Sequence, residues 1–165
     1  MIRLNISPEQ LQRAKEMYEF NALKNSVTEG KSNIYGAIGE VMVYDYFKDT
    51  YWKDRFDVEL ENTFDYDLLI NGKRIEVKTK KTSNIVVNEE YNVNIFATSI
   101  KQMCDYYFFT IVTDDFKVCY LLGYLRRFDF YKIATFAKKG EPDGPNFNFR
   151  ADSYSVKIKD LIKFQ

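Results

Sequence analysis

Asp65, Asp67, Glu76 and Lys78 flank an Asn71-Gly72 dipeptide in the run FDYDLLINGKRIEVK, a spacing that can put all four on one face of a β-hairpin. Asn-Gly between two alternating apolar runs is the strongest short-range hairpin signal. Taken as a two-residue turn, it pairs Ile70 with Lys73, sets Asp67 opposite Glu76 and sets Asp65 opposite Lys78. Side chains alternate faces along a strand, so these four project one way while Tyr66, Leu68, Ile75 and Val77 project the other. Opposed residues hold their Cβ atoms about 4.5–5.5 Å apart, and two carboxylates at that distance repel unless a cation lies between them. A divalent ion answers that need, and ligation by oxygen alone selects Mg2+ or Mn2+ over zinc. The plainer reading is a solvated face of mixed charge with an Asp65–Lys78 ion pair.

Glu40 is the fifth candidate. It follows Gly36 and Gly39 in GAIGEVMVY, on a segment that reads as a helix from about Ser32 to Lys48. Each glycine inside a helix costs about 1 kcal/mol against alanine, a cost a chain accepts where the helix must approach a neighbour closely. At 100° per residue Glu40 falls between Gly36 and Tyr44, with Val43 and Phe47 near, and so interrupts the apolar stripe. A carboxylate there needs a partner. The bland alternative is a glutamate that snorkels to water.

Together these residues resemble the PD-(D/E)xK nuclease superfamily, which includes restriction endonucleases, Holliday-junction resolvases and phage-encoded nucleases. The pattern is a helix glutamate, an aspartate opening a strand, then (D/E)xK on the partner strand. Glu40, Asp67, Glu76 and Lys78 match it in order. Tyr66 stands where proline often precedes the aspartate, and Asp65 offers a competing match as metal ligand, although Asp67 faces Glu76 directly. The resemblance covers about residues 32–125. It implies a restriction-endonuclease-like α/β (α+β) core of order αβββαβ and a metal-dependent endodeoxyribonuclease. It further implies that Asp67 and Glu76 bind Mg2+ (or Mn2+) with the Val77 carbonyl, that Glu40 serves a second ion directly or through water, and that Lys78 assists the attacking water. On the same basis Arg74, Lys80, Lys81 and Gln102 would contact the substrate, Gln102 being equally readable as an ordinary surface amide. With the compactness of the chain, the resemblance suggests a phage-encoded enzyme. The rival is a catalytically inactive DNA-binding or protein-interaction module on the same fold.

The elements around the candidates read as follows. Ser7-Pro8-Glu9-Gln10 is a helix start with proline at the first helical position, and the helix runs to about Leu23. Lys24–Lys31 is a loop. Asp57–Glu61 is a weak strand, Asp65–Ile70 and Lys73–Lys80 form the hairpin, Val86–Val93 is ambiguous, and Thr98–Met103 is a short helix. Tyr106–Thr113 and Lys117–Tyr124 are strands hinged at Asp114-Asp115. The first of these is apolar on both faces, as a central strand covered by helices would be. Lys138–Arg150 is a loop and Tyr154–Ile158 a last strand. The sum is one domain over residues 1–165, a mixed sheet of about five strands flanked by helices.

Composition narrows the chemistry. The 165 residues include no histidine, which removes His-based triads, His general bases and ordinary zinc sites. Cys104 and Cys119 are the only cysteines and read as buried, reduced thiols. No run approaches the roughly 18–20 apolar residues of a membrane span, and the chain reads as cytoplasmic. Net charge is zero, with 24 basic and 24 acidic residues, so contact with DNA must rest on local basic patches. These are Lys73, Arg74, Lys78, Lys80 and Lys81, then Arg126, Arg127, Lys138 and Lys139. Cutting both strands of a duplex would favour a homodimer, for which the sequence carries no signature.

Overall fold

The computed structural model describes residues 1–20, 33–49, 56–83, 86–143 and 147–164. The loop read from Lys24 to Lys31 lies outside the described residues, as do 144–146 within the Lys138–Arg150 loop. The chain runs β1 (Ile2–Asn5), α1 (Pro8–Phe20), α2 (Asn33–Asp49), β2 (Val58–Leu60), β3 (Leu68–Ile70), β4 (Lys73–Thr82), β5 (Asn92–Phe96), a 3-10 turn (Ala97–Lys101), β6 (Tyr106–Thr113), β7 (Val118–Arg126), α3 (Arg127–Ile133), β8 (Thr135–Ala137) and β9 (Ser153–Lys157). The fold is α+β: a mixed six-stranded sheet in the order β1-β7-β6-β4-β3-β2 and a smaller sheet in the order β5-β9-β8.

Local chemistry explains the boundaries. At the start of α1 the Ser7 hydroxyl accepts from the Gln10 N–H (3.2 Å) while the Gln10 side chain accepts from the Ser7 N–H (2.9 Å). This reciprocal box satisfies two backbone donors that a helix start leaves orphaned. In the hairpin, Asn71 (φ 50°) and Gly72 (φ 71°) are both left-handed, as a two-residue turn matched to strand twist demands. The pairs Ile70–Lys73, Leu69–Arg74 and Leu68–Ile75 follow, and the sequence register holds through Leu68.

Two apolar cores lie on the two faces of the large sheet. On one, Ile38, Val41 and Met42 of α2 meet Ile75, Val77 and Phe108, with Leu11, Met17 and Tyr18 of α1 packed against them. On the other, Tyr107, Phe109 and Leu122 meet Phe130 of α3, Ile95 of β5 and Val156 of β9. Strand β6 lies between β4, to which it is parallel, and β7, to which it is antiparallel. Its two-sided apolarity is therefore explained: α1 and α2 cover one face, and the small sheet together with α3 covers the other. Tyr107, Phe108 and Phe109 are core residues, so they do not furnish a partner surface. Both cysteines are buried and free.

Four readings are corrected. The large sheet has six strands, not about five, because Ile2–Asn5 pairs with β7. The crossover from β4 to β6 carries β5 and a 3-10 turn instead of the α-helix of an αβββαβ order. Helix α3 and strand β8 were not read at all. Tyr66 packs against the core opposite to that of Leu68, Ile75 and Val77, because the chain leaves the ladder before it. No helix of the described residues is long and apolar enough to cross a membrane.

Candidate active site

Helix α2 reaches the hairpin through Gly39. A Cβ at that position would stand 2.0 Å from the Thr79 Oγ1 of β4 and 2.7 Å from the Thr110 Oγ1 of β6. The missing side chain is thus what lets the helix lie on the two strands, and it brings the next residue, Glu40, to the hairpin. At Gly36, one turn earlier, the nearest atom to an added Cβ would be Glu40 Oε1, at 4.0 Å. The Glu40 carboxylate therefore lies back over an open patch of its own helix.

Asp67 reaches the same place from the other side. Its N–H donates to the Ile75 carbonyl (2.9 Å), the residue Leu68 is already paired with, so regular alternation ends here. β4 continues to Thr82 beyond the three residues of β3 and presents an open edge. The Asp67 carboxylate covers its first donor: Oδ2 accepts from the Val77 N–H at 2.7 Å. A strand residue turns its N–H and C=O to the same side, so the Val77 carbonyl faces that edge too. Capping a strand edge would not by itself require a charge, since asparagine could do it.

Glu76 is 6% exposed. Its Oε1 accepts from the Lys78 ammonium (2.6 Å) and from the Gln102 amide (2.8 Å), while its Oε2 is buried without a hydrogen-bond partner among the described residues. Gln102 also accepts from Lys78 (3.1 Å) and donates to the Phe64 carbonyl (3.0 Å). The structure thus brings Glu40, Asp67, Glu76 and Lys78 together. Burial, then the neighbouring Glu76, push the Glu40 carboxyl up to about 8, with Lys78 opposing. Asp67 is held well above the usual carboxylate range by burial and then by Glu40 and Glu76, its bond from Val77 and Lys78 opposing. Among the described residues three carboxylates share one ammonium, and that imbalance favours the protonated forms of Glu40 and Asp67 unless further positive charge arrives.

Of the remaining candidates, Asp65, Arg74, Lys80 and Lys81 part company with this cluster. Asp65 does not oppose Lys78: the turn before it is knotted by Thr63, whose hydroxyl bonds Tyr66 O and accepts from the Asp65 and Tyr66 N–H groups. The Asp65 carboxylate accepts from Met103 N–H instead (3.1 Å). Arg74, beside the hairpin turn, is engaged by Asp105 (2.9 Å). Lys80 contacts Asp143 (3.3 Å) and Lys81 contacts Asp114 (3.9 Å). Gln102 is not a surface amide: it is buried and joins the cluster, tying Glu76 to Lys78. Nothing in its sequence surroundings marks that role.

The donors present fit a hard divalent ion: a buried carboxylate oxygen without a partner on Glu76, a second carboxylate on Asp67 and the Val77 carbonyl. Among the described residues no three acidic or thiol groups close on one point as a ready cage. Mg2+ does not need one, because it usually binds through one or two carboxylates and completes its shell with water and substrate phosphate. No protein-family model matches the chain, and no curated protein matches it in sequence.

Proposed function

We propose that this chain is a divalent-metal-dependent nuclease of the PD-(D/E)xK kind, an endodeoxyribonuclease that hydrolyses DNA phosphodiester bonds with Glu40, Asp67, Glu76 and Lys78. The observation that carries this reading is the charge imbalance, three crowded carboxylates against one ammonium, with Glu76 Oε2 buried and unpartnered. The order α2, β2, β3, β4 and then a parallel β6 supports a restriction-endonuclease-like core around it.

Asp67, Glu76 and the Val77 carbonyl would hold Mg2+ or Mn2+, and Glu40 would serve a second ion directly or through water. A bound ion would polarise the scissile phosphate and acidify a water. Glu76 and Gln102 hold the Lys78 ammonium among the carboxylates. From there it can orient the attacking water and offset charge growing on the phosphate oxygens. Glu40 and Asp67 are half-buried, so the point they share stays partly open to water and substrate.

The test is cleavage of plasmid and of labelled linear, branched and single-stranded DNA with Mg2+ or Mn2+, beside a Lys78→Ala control. Cutting should require the ion and fall about 10^2- to 10^3-fold in Lys78→Ala, the usual loss on removing one group that acts on the transition state. Equal cutting by both proteins would identify a contaminant. DNA binding without ion-dependent cutting would instead make the chain an inactive binding module.

A further inference from the structure

Beside the carboxylate cluster the chain exposes large apolar side chains on a rigid frame. Phe64 is 75% exposed at the tip of the turn between β2 and β3, and Met103 is 57% exposed just after the 3-10 turn. The Phe64 turn is closed by the three Thr63 hydroxyl bonds and by the Glu61 and Asn62 N–H groups, both donating to Asp67 O (2.8 and 3.1 Å). The two exposed segments are joined by the Asp65–Met103 bond. One nitrogen, Gln102 Nε2, lies 3.0 Å from the Phe64 carbonyl and 2.8 Å from Glu76 Oε1. Ile100, whose carbonyl accepts from Arg127 (2.5 Å), and Phe128, 76% exposed, are further exposed apolar residues.

Exposed apolar side chains are ordinary when scattered, whereas a contiguous group marks a contact surface. Here Phe64 shares the Gln102 amide with Glu76, and its turn is tied to Met103 through Asp65, so a phosphodiester that reaches the cluster brings its neighbouring nucleoside near this turn. In a continuous duplex that nucleoside's base is stacked between its neighbours and offers no face to a side chain. A base without a partner offers its π-face, and aromatic rings stack on any such base without regard to sequence.

We propose that the Phe64 ring, with Met103 on the adjoining segment, is a stacking platform for an unpaired nucleobase, so that the substrate is single-stranded or branched DNA and not continuous duplex. This rests on the nuclease reading. The test uses the full chain without divalent ion, so that no strand is cut, and fluorescent single strands, forked duplexes and perfect duplexes carrying 2-aminopurine. Single strands and forks should bind more tightly than duplex and quench the 2-aminopurine at one position. Phe64→Ala should weaken their binding roughly 5- to 150-fold, the range one base–aromatic stack supplies, and remove the quenching. Phe64→Trp should retain both, and Phe136→Ala, at an exposed ring on β8, should change neither. Which of the two DNA forms binds better identifies the source of the unpaired base. Unaltered single-strand binding by Phe64→Ala overturns the platform while ion-dependent cutting leaves the nuclease reading standing. A dimer lost in Phe64→Ala with DNA binding intact overturns it in favour of contact between copies. Wild-type protein that neither binds nor cuts DNA overturns both.

Discussion

Residues 74–78 of strand β4 carry charge at both ends of that stretch, and the two ends treat it in opposite ways. Near the hairpin turn, Arg74 and Asp105 are matched one to one. The guanidinium bonds both carboxylate oxygens (2.9 and 3.2 Å), and the Arg74 N–H adds a third bond (2.9 Å). The Arg74 bond holds the Asp105 carboxyl below its ordinary range. Further along, Glu40, Asp67 and Glu76 have Lys78 alone, and Glu40 and Asp67 are held above theirs. An ion pair that serves the fold lowers the energy of both charged groups. A cluster whose carboxyls are shifted toward their protonated forms is poised for a cation that the described residues do not supply, and perturbed groups of this kind concentrate at functional sites.

The largest expected difference between the ends is in cutting rate. Asp67→Asn keeps an oxygen for the Val77 N–H and removes the charge. On the nuclease reading it should lose about 10^3-fold in single-turnover cleavage, as removal of groups acting on the transition state commonly does. Arg74→Ala should stay within a few-fold of wild type. Similar losses in both would mean that the two ends differ in no functional respect.

Divalent ion should separate the ends next, in stability. An ion that binds only the folded chain adds about 2.7 kcal/mol at a hundred times its Kd, and Mg2+ or Mn2+ titrated during thermal unfolding reads this directly. The shift should persist in Asp105→Asn and vanish in Glu76→Gln. A shift surviving Glu76→Gln would place the ion elsewhere.

Proton linkage gives opposite signs at the two ends. Glu40 titrates near 8 when folded against an ordinary 4.5, so between those values the folded chain keeps a proton that the unfolded chain has released. Without divalent ion, stability should therefore fall as pH rises through that window, and Glu40→Gln should flatten the fall. Asp105, depressed when folded, contributes stability above its ordinary pKa that is lost as pH falls. Urea unfolding in chelator at about pH 5, 6.5 and 8 measures the sum. Stability climbing over that range would contradict the burial of Glu40.

The two ends also differed in how far the sequence revealed them. Asn71-Gly72 fixes its own register because both residues must be left-handed, and pairing arithmetic from it is sound for the three pairs that exist. It fails from Asp67, whose N–H bonds the Ile75 carbonyl and not Glu76, and at Asp65, because Thr63 draws its turn into side-chain bonds that no alternation rule contains. Glu40 was legible from the glycine before it. The Arg74–Asp105 pair and Gln102 were not, since each depends on where the crossover from β4 returns to β6, and that return was read as a helix-bearing connection. The last strand, Tyr154–Ile158, is legible and is β9, but its sheet stayed hidden for a related reason: β5 and β8 are five and three residues long and pair with it from a distance in the chain. Local pattern scarcely registers such strands.

The smallest expected effect lies one helical turn before Glu40 and tests whether open space belongs to the poised end. Gly39→Ala should cost about 1–3 kcal/mol, as overpacking does, because its Cβ would strike Thr79. Gly36 meets no such obstacle: an added Cβ finds only Glu40 Oε1, at an ordinary 4.0 Å. Helix propensity alone then makes Gly36→Ala stabilising by about 0.5–1 kcal/mol. If room around the Glu40 carboxylate serves a hydrated ion, the same substitution should weaken Mg2+ binding a few-fold while raising the melting temperature. Stability and ion affinity that rise together would show that Gly36 merely weakens the helix. Opposite movements would mark its missing side chain as part of the ion's surroundings.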